Sequence, residues 1–245
     1  MPSGRTEGDA PPAARSAAGD GAAPGSDRSG GPIPAPFPAR RACTRPRVVA
    51  ATSLVLGAAL LVGTLVSTRG SAAFYLFGFA LAATWIIGSV AAGPVTLSAA
   101  DRGSSRLRLV ISGAVLGVAA YGVFVVAALV CRHLPGLGSA VDDLLNTADA
   151  GRFWVVLALA LANAVAEELF FRGALLDAID TRHAALWATM AYVIVTAPSG
   201  NVALVAAAAV MGSLFMAERL SSGGVLASIV THATWSTLVL LAFPH

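Results

Sequence analysis

"LALALANAVAEELFFRGALL" (Leu157–Leu176) begins as a run that a membrane would accept, then sets Glu167, Glu168 and Arg172 among its apolar residues. A charge at a bilayer centre costs about 2.5–3.5 kcal/mol on insertion scales, so such residues face a cavity or one another. Whether the run is a span decides the fold, and the surrounding composition answers that. Hydrophobic residues make up 56% of the 245 and charged residues 12%. Mean hydropathy is +0.75, well outside the range of a soluble domain. The expected fold is all-α, a polytopic transmembrane helix bundle of about seven spans. Cys43 and Cys131 lie far apart and match no metal or disulfide spacing.

Residues 1–46 are a different material. Pro, Gly, Ala and Ser dominate, charges are scattered, and no apolar period runs through them. Such a segment does not bury enough surface to offset its ordering entropy, so it reads as a disordered cytoplasmic tail ahead of a helical domain over 47–245. It also lacks the apolar stretch of a signal peptide, which leaves the first span as the anchor.

A hydrocarbon core of roughly 30 Å asks for about 20 apolar residues per helix. That rule marks Val48–Val66, Ala72–Ala92, Leu109–Val130, Phe153–Leu176, Ala184–Ala197, Asn201–Ala217 and Gly223–Phe243. The fifth and sixth are short and separated only by "PSG", as in a tilted pair or a partly re-entrant hairpin. The segment 133–152 mixes apolar and acidic positions and reads as a short amphipathic helix at the interface. All basic residues are arginines. Arg40, Arg41, Arg45 and Arg47 precede the first span, Arg102, Arg106 and Arg108 follow the second, and Arg182 and Arg219 sit at later ends of the same parity. Arg69, and Arg132 and Arg152 beside Asp142, Asp143 and Asp149, fall on the other side. Seven alternating spans with a cytoplasmic N-terminus then satisfy the positive-inside rule, which points to a multi-pass protein of the cell membrane. Ala208-xxx-Gly212 offers the small-residue spacing through which membrane helices approach.

In the charged run, Glu168 and Arg172 stand four apart and share a helix face, so they can pair. Glu167 is rotated by about 100° from Glu168 and has Asn163 as its axial neighbour. The spacing predicts a division of labour. Arg172 neutralises Glu168, and Glu167 keeps a carboxylate directed elsewhere, as a general base requires. A structural ion cluster joining helices is the other reading of the same residues. A second polar site follows in "VTHATWSTLVL", where His232 and Ser236 stand four apart with Thr231, Thr234 and Trp235 around them. Carboxylate and imidazole in a wet intramembrane pocket activate water and stabilise an oxyanion.

"EELFFRG", Glu-Glu-x-x-x-Arg within a span and followed by His-x-x-x-polar in a later one, resembles the motifs of the CAAX-protease and bacteriocin-processing (CPBP, or Abi) intramembrane proteases. That family includes the type II CAAX prenyl endopeptidases. The resemblance covers roughly Phe153 to Phe243. It implies a peptidase in which Glu167 is the catalytic glutamate, Glu168 its companion, Arg172 the motif arginine and His232 the third-motif histidine. Two positions depart from it. In "AYVIVTAPSGN", Tyr192 stands for the aromatic of the Phe-x-x-x-His second motif and Thr196 for its histidine, while Ser236 stands where Asn is common.

The departures bear on chemistry. The family is described both as metal-dependent and as a glutamate-activated-water protease. Zinc normally takes three protein ligands in a catalytic site, and here Glu167 and His232 are the candidates, with Glu168 committed to Arg172. The expectation is therefore no cofactor, zinc being the alternative that the family implies. Glu167 is the base for water attack, and His232, assisted by Ser236 or Asn201, is the oxyanion stabiliser. The expected partners are the lipid bilayer and a membrane-associated protein or peptide substrate, with no nucleic acid. The competing reading is a non-catalytic scaffold or immunity-type protein that keeps the fold. A proton-relay transporter is a third, though no inverted repeat or pair of broken helices supports it.

Overall fold

The computed structural model describes residues 44–98, 105–131, 133, 138–139 and 153–242. The tail expected over 1–46 falls outside these as far as residue 43. So do Cys43, nearly all of the expected interfacial segment 133–152, and Arg40, Arg41, Arg102, Arg132 and Arg152. Among the described residues the chain forms seven helices and no strand: α1 (Thr44–Val66), α2 (Ala72–Ala92), α3 (Arg106–Cys131), α4 (Phe153–Ala178), α5 (Ala184–Thr196), α6 (Val202–Ser222) and α7 (Leu226–Ala242). Five of them, α1 to α4 and α6, are long and apolar enough to cross a membrane. The other two, α5 with its 3-10 extension to Ser199 and α7, are shorter and equally apolar. Val55, Leu76, Ile87, Val115 and Val123 lie more than half exposed on the outside of the bundle, the surface that lipid covers in a spanning protein.

Helix ends follow caps and polar partners more than the limits of apolar runs. The first helix begins at Thr44 instead of Val48 because Arg47 has somewhere to go. Its Nε donates to Ala178 O at 3.3 Å and its Nη2 meets Asp180 Oδ2 at 3.1 Å. Ser105 accepts the Arg108 N–H and starts α3 ahead of Leu109. The sixth helix runs five residues past Ala217, to Ser222, because Glu218 and Arg219 find partners inside the protein. It stops at Gly223, whose φ of 73° closes the turn back to Arg219 O.

α1 packs on α2, α3 on α7, and α5 on α6, while α4 lies between α2 and α7. Three contacts gather helix ends on one face. Arg47–Asp180 joins the start of α1 to the end of α4, and Arg219–Asp177 (3.7 Å) joins the ends of α6 and α4. The Val225 and Leu226 N–H groups donate to Thr96 O and Leu97 O, which ties the start of α7 to the chain leaving α2.

The α4 helix is not regular. After Glu167 it widens into a π-helix over Glu168–Leu175 and returns to α geometry at Leu176–Ala178. Seven of the eight π residues are buried, and the segment touches α1, α2, α5 and α6. Around it lies the main core, with Trp85, Phe170 and Phe171 at its centre. Widened turns of this kind are rare and concentrate at functional sites.

Candidate active site

Glu168 and Arg172 form the pair that their spacing allows, Nη1 to Oε1 at 3.1 Å, and both side chains are fully buried. Arg172 then reaches further than its own helix. Its Nη2 donates to Gly212 O at 3.0 Å, and its guanidinium lies 4.5 Å from the centre of the Tyr192 ring and 5.2 Å from that of Phe215. A Cβ at position 212 would come within 3.3 Å of Nη2 and 2.9 Å of Tyr192 Cδ1, so glycine is what lets α6 come this close. The Arg172 carbonyl accepts from Arg219 Nε at 2.8 Å. A carbonyl oxygen has two lone pairs, and a widened turn leaves one of them open to a side chain.

His232 stands against Glu168 and not Glu167, with Nδ1 to Oε1 at 3.2 Å. An ionised carboxylate paired with arginine has no proton to give, so Nδ1 is the donor. That bond fixes the ring and leaves only Nε2 for other work, as a carboxylate does for a catalytic imidazole. Phe215 stacks on the same ring at 4.6 Å and 22°. Glu168, which the sequence assigns to Arg172 alone, therefore serves two partners across two helices.

Glu167 points elsewhere, as its rotation predicts. Its Oε2 accepts the Tyr192 hydroxyl at 2.9 Å, and it lines a cavity of about 200 Å³ whose wall also includes Thr196, His232, Trp235 and Trp85. Asn163, one turn earlier, does not reach Glu167. Its amide donates to Leu159 O and Gly78 O and joins α4 to α2.

The remaining candidates separate. Thr196 lines the cavity, but its hydroxyl donates to Tyr192 O at 2.9 Å, the i−4 backbone bond common for threonine in helices. Ser236 is half-buried and not part of the cavity wall. Asn201 caps α6, its Oδ1 accepting from the Leu204 N–H, and it is not part of the cavity wall. Arg219, the Tyr192 hydroxyl and a link from Thr231 to Glu218 (2.8 Å) and Gly113 O (3.0 Å) escaped the sequence reading. Only Tyr192 carried a signal, one turn ahead of Thr196 in the second motif.

As a zinc site the donor set falls short. Among the described residues no group of three or more His, Cys, Asp or Glu is placed to hold a metal ion. Glu168 is taken by Arg172 and His232, Glu167 is held by a phenol, and a neutral threonine hydroxyl at 196 is a poor ligand, so His232 Nε2 lacks the two further donors that zinc requires. The residues present do not fit the metal.

Residues 149–238 match the family model described as type II CAAX prenyl endopeptidase Rce1-like. The match contains Glu167, Glu168, Arg172, Tyr192, Thr196 and His232. No curated protein and no solved structure matches the chain.

Proposed function

We propose, from the match of residues 149–238 to the type II CAAX prenyl endopeptidase Rce1-like family model, that this multi-pass membrane protein is an intramembrane endopeptidase. It hydrolyses peptide bonds of a membrane-associated protein or peptide in the cell membrane, with its N-terminus cytoplasmic. One observation carries the reading. Glu167 and His232 line the same cavity deep in the bundle, while the structural ion pair is made by a different carboxylate, Glu168. The brace between helices runs from Glu168 to His232 and from Arg172 to Gly212 O. Glu167 also bonds Tyr192 of α5, but it does so on a cavity wall shared with His232, which a scaffold does not require.

In the proposed reaction Glu167 removes a proton from water as the water oxygen adds to the scissile carbonyl carbon. The carbonyl π pair moves onto oxygen and makes the oxyanion. His232 stabilises it from Nε2 when the ring carries both protons, with Glu168 and Arg172 holding the imidazole in place. Collapse restores the carbonyl and breaks the C–N bond, and the leaving amine takes the proton from Glu167. The products are an acid and an amine, and Glu167 is again a carboxylate. No step requires a metal.

Membranes of cells carrying wild type and Glu167→Gln test the reading by quantitative proteomics of polypeptide termini. Glutamine keeps the shape of the side chain and removes the base, so the substrate accumulates uncut while the variant protein remains at wild-type abundance. Loss of general-base catalysis alone lowers the rate by roughly 10²–10⁴-fold. Identical termini in the two membranes would remove the peptidase from consideration.

A further inference from the structure

We propose that the Tyr192 phenol is an oxyanion donor of this site. The inference rests on the peptidase reading above. Tyr192 lines the cavity, and its hydroxyl is already at the reacting end, 2.9 Å from Glu167 Oε2. Its ring is held on three sides. Phe171 meets it edge-on at 5.0 Å, the Arg172 guanidinium covers one face at 4.5 Å, and Gly212 closes in where a Cβ would stand 2.9 Å from Cδ1. With the ring fixed before reaction, only the hydroxyl torsion has to change when charge develops, which keeps the reorganisation small.

The other polar groups on the wall are spent or conditional. The Thr196 hydroxyl hydrogen is used on Tyr192 O. His232 gives its Nδ1–H to Glu168, so it donates through Nε2 only when the ring is doubly protonated; in the neutral ring Nε2 is an acceptor. The Trp85 indole nitrogen is buried and unpartnered too, but it lies against Gly57 and so faces α1. Trp235 Nε1 is buried and unpartnered on the same wall and is the competing donor among the described residues. The phenol alone both touches the base and donates whatever the charge of His232.

The Tyr192–Glu167 bond also supplies timing. A hydrogen bond to an ionised acceptor is roughly twice as strong as one between neutral groups. While Glu167 is a carboxylate, it holds the phenol. When it takes the proton of the attacking water, its hold weakens at the moment the carbonyl oxygen gains its charge, and the hydroxyl turns to the oxyanion. Tyr192 keeps its proton throughout, so the balance of the hydrolysis is unchanged. The hydroxyl returns to Glu167 once the amine has taken the proton back.

The test uses the full-length protein in detergent, with the polypeptide that accumulates uncut in Glu167→Gln membranes as substrate. Tyr192→Phe keeps every ring contact and removes one oxygen, so its melting temperature and KM stay near wild type. Its kcat falls by roughly 10²–10³-fold, the usual loss for one oxyanion donor. A purely structural role would shift melting or KM instead. If Tyr192→Phe turns over at the wild-type rate, or if Trp235→Phe shows the kcat loss in its place, the phenol is not the donor. If nothing accumulates in Glu167→Gln membranes, the peptidase reading fails and takes this inference with it.

Discussion

Arg172 joins three helices through one side chain, and its removal shows what each contact is worth. It neutralises the buried Glu168, donates to the backbone of α6 at Gly212, and lies between the Tyr192 and Phe215 rings. Deleting one partner of a buried ion pair typically costs about 3–5 kcal/mol, because the other charge is left uncompensated. Arg172→Ala therefore loses most of its monodisperse folded protein in size-exclusion chromatography after detergent extraction. Arg172→Lys retains the charge but not the planar fork or the stacking, and falls between wild type and alanine. Wild-type yield and melting for Arg172→Ala would show that Glu168 does not need it. The pair itself was readable from the spacing of 168 and 172. That Glu168 also holds His232 was not, because sixty-four residues separate them and no local pattern links one helix to another. Glu167 invited the same partner from sequence, and only the packing of α4 on α7 assigned the imidazole to its neighbour.

The elements show a similar split between local signals and long-range ones. Serine and asparagine caps, a C-terminal glycine and apolar length together give the number and order of the helices, since each works within a few residues. The π-turn in α4 gave no such signal. It depends on Phe170 and Phe171 burying against Trp85 of α2 while Arg172 is drawn toward α6. Close helix approach divides likewise. Ala208 and Gly212 announced a contact face and are buried. The tightest α3 contact passed unnoticed, because glycines in an evenly apolar helix carry no direction. A Cβ on Gly113 would stand 2.7 Å from Ala227 O, and one on Gly117 would stand 2.8 Å from Thr231 O. Both obstacles are backbone, so α3 would have to move off the helix that carries His232. Gly113→Ala should lower the melting temperature in detergent, with a cost of about 1–3 kcal/mol typical of overpacking. Gly122→Ala, on the same helix with nothing within 4 Å of its Cβ, should be neutral or slightly stabilising through helix propensity. Equal effects at the two positions would mean that α3 does not pack on α7 in this register.

The bundle as one object carries the orientation argument. Arg47–Asp180, Arg219–Asp177 and the Val225–Thr96 backbone bond bring the start of α1, the ends of α2, α4 and α6, and the start of α7 to a single face. Seven helices in that order alternate without a break only if the two short ones, α5 and α7, also run between the faces. If α5 and its 3-10 turn dipped in and returned, the chain after α6 would change sides. We propose the gathered face as the cytoplasmic one on the arginine bias, since Arg45, Arg47, Arg106, Arg108, Arg182 and Arg219 all belong to it, and only Arg69 of the described arginines lies at the other. Reporter fusions at Arg47, Ser104, Ala140 and His245 read this out. Cytoplasmic reporters should be active at Arg47 and Ser104, and an exterior reporter at Ala140 and His245. A cytoplasmic signal at Ala140 overturns the first three spans. A cytoplasmic signal at His245 alone means that α5 or α7 does not cross, and the cavity wall that Tyr192 and His232 share would then be built on a re-entrant segment.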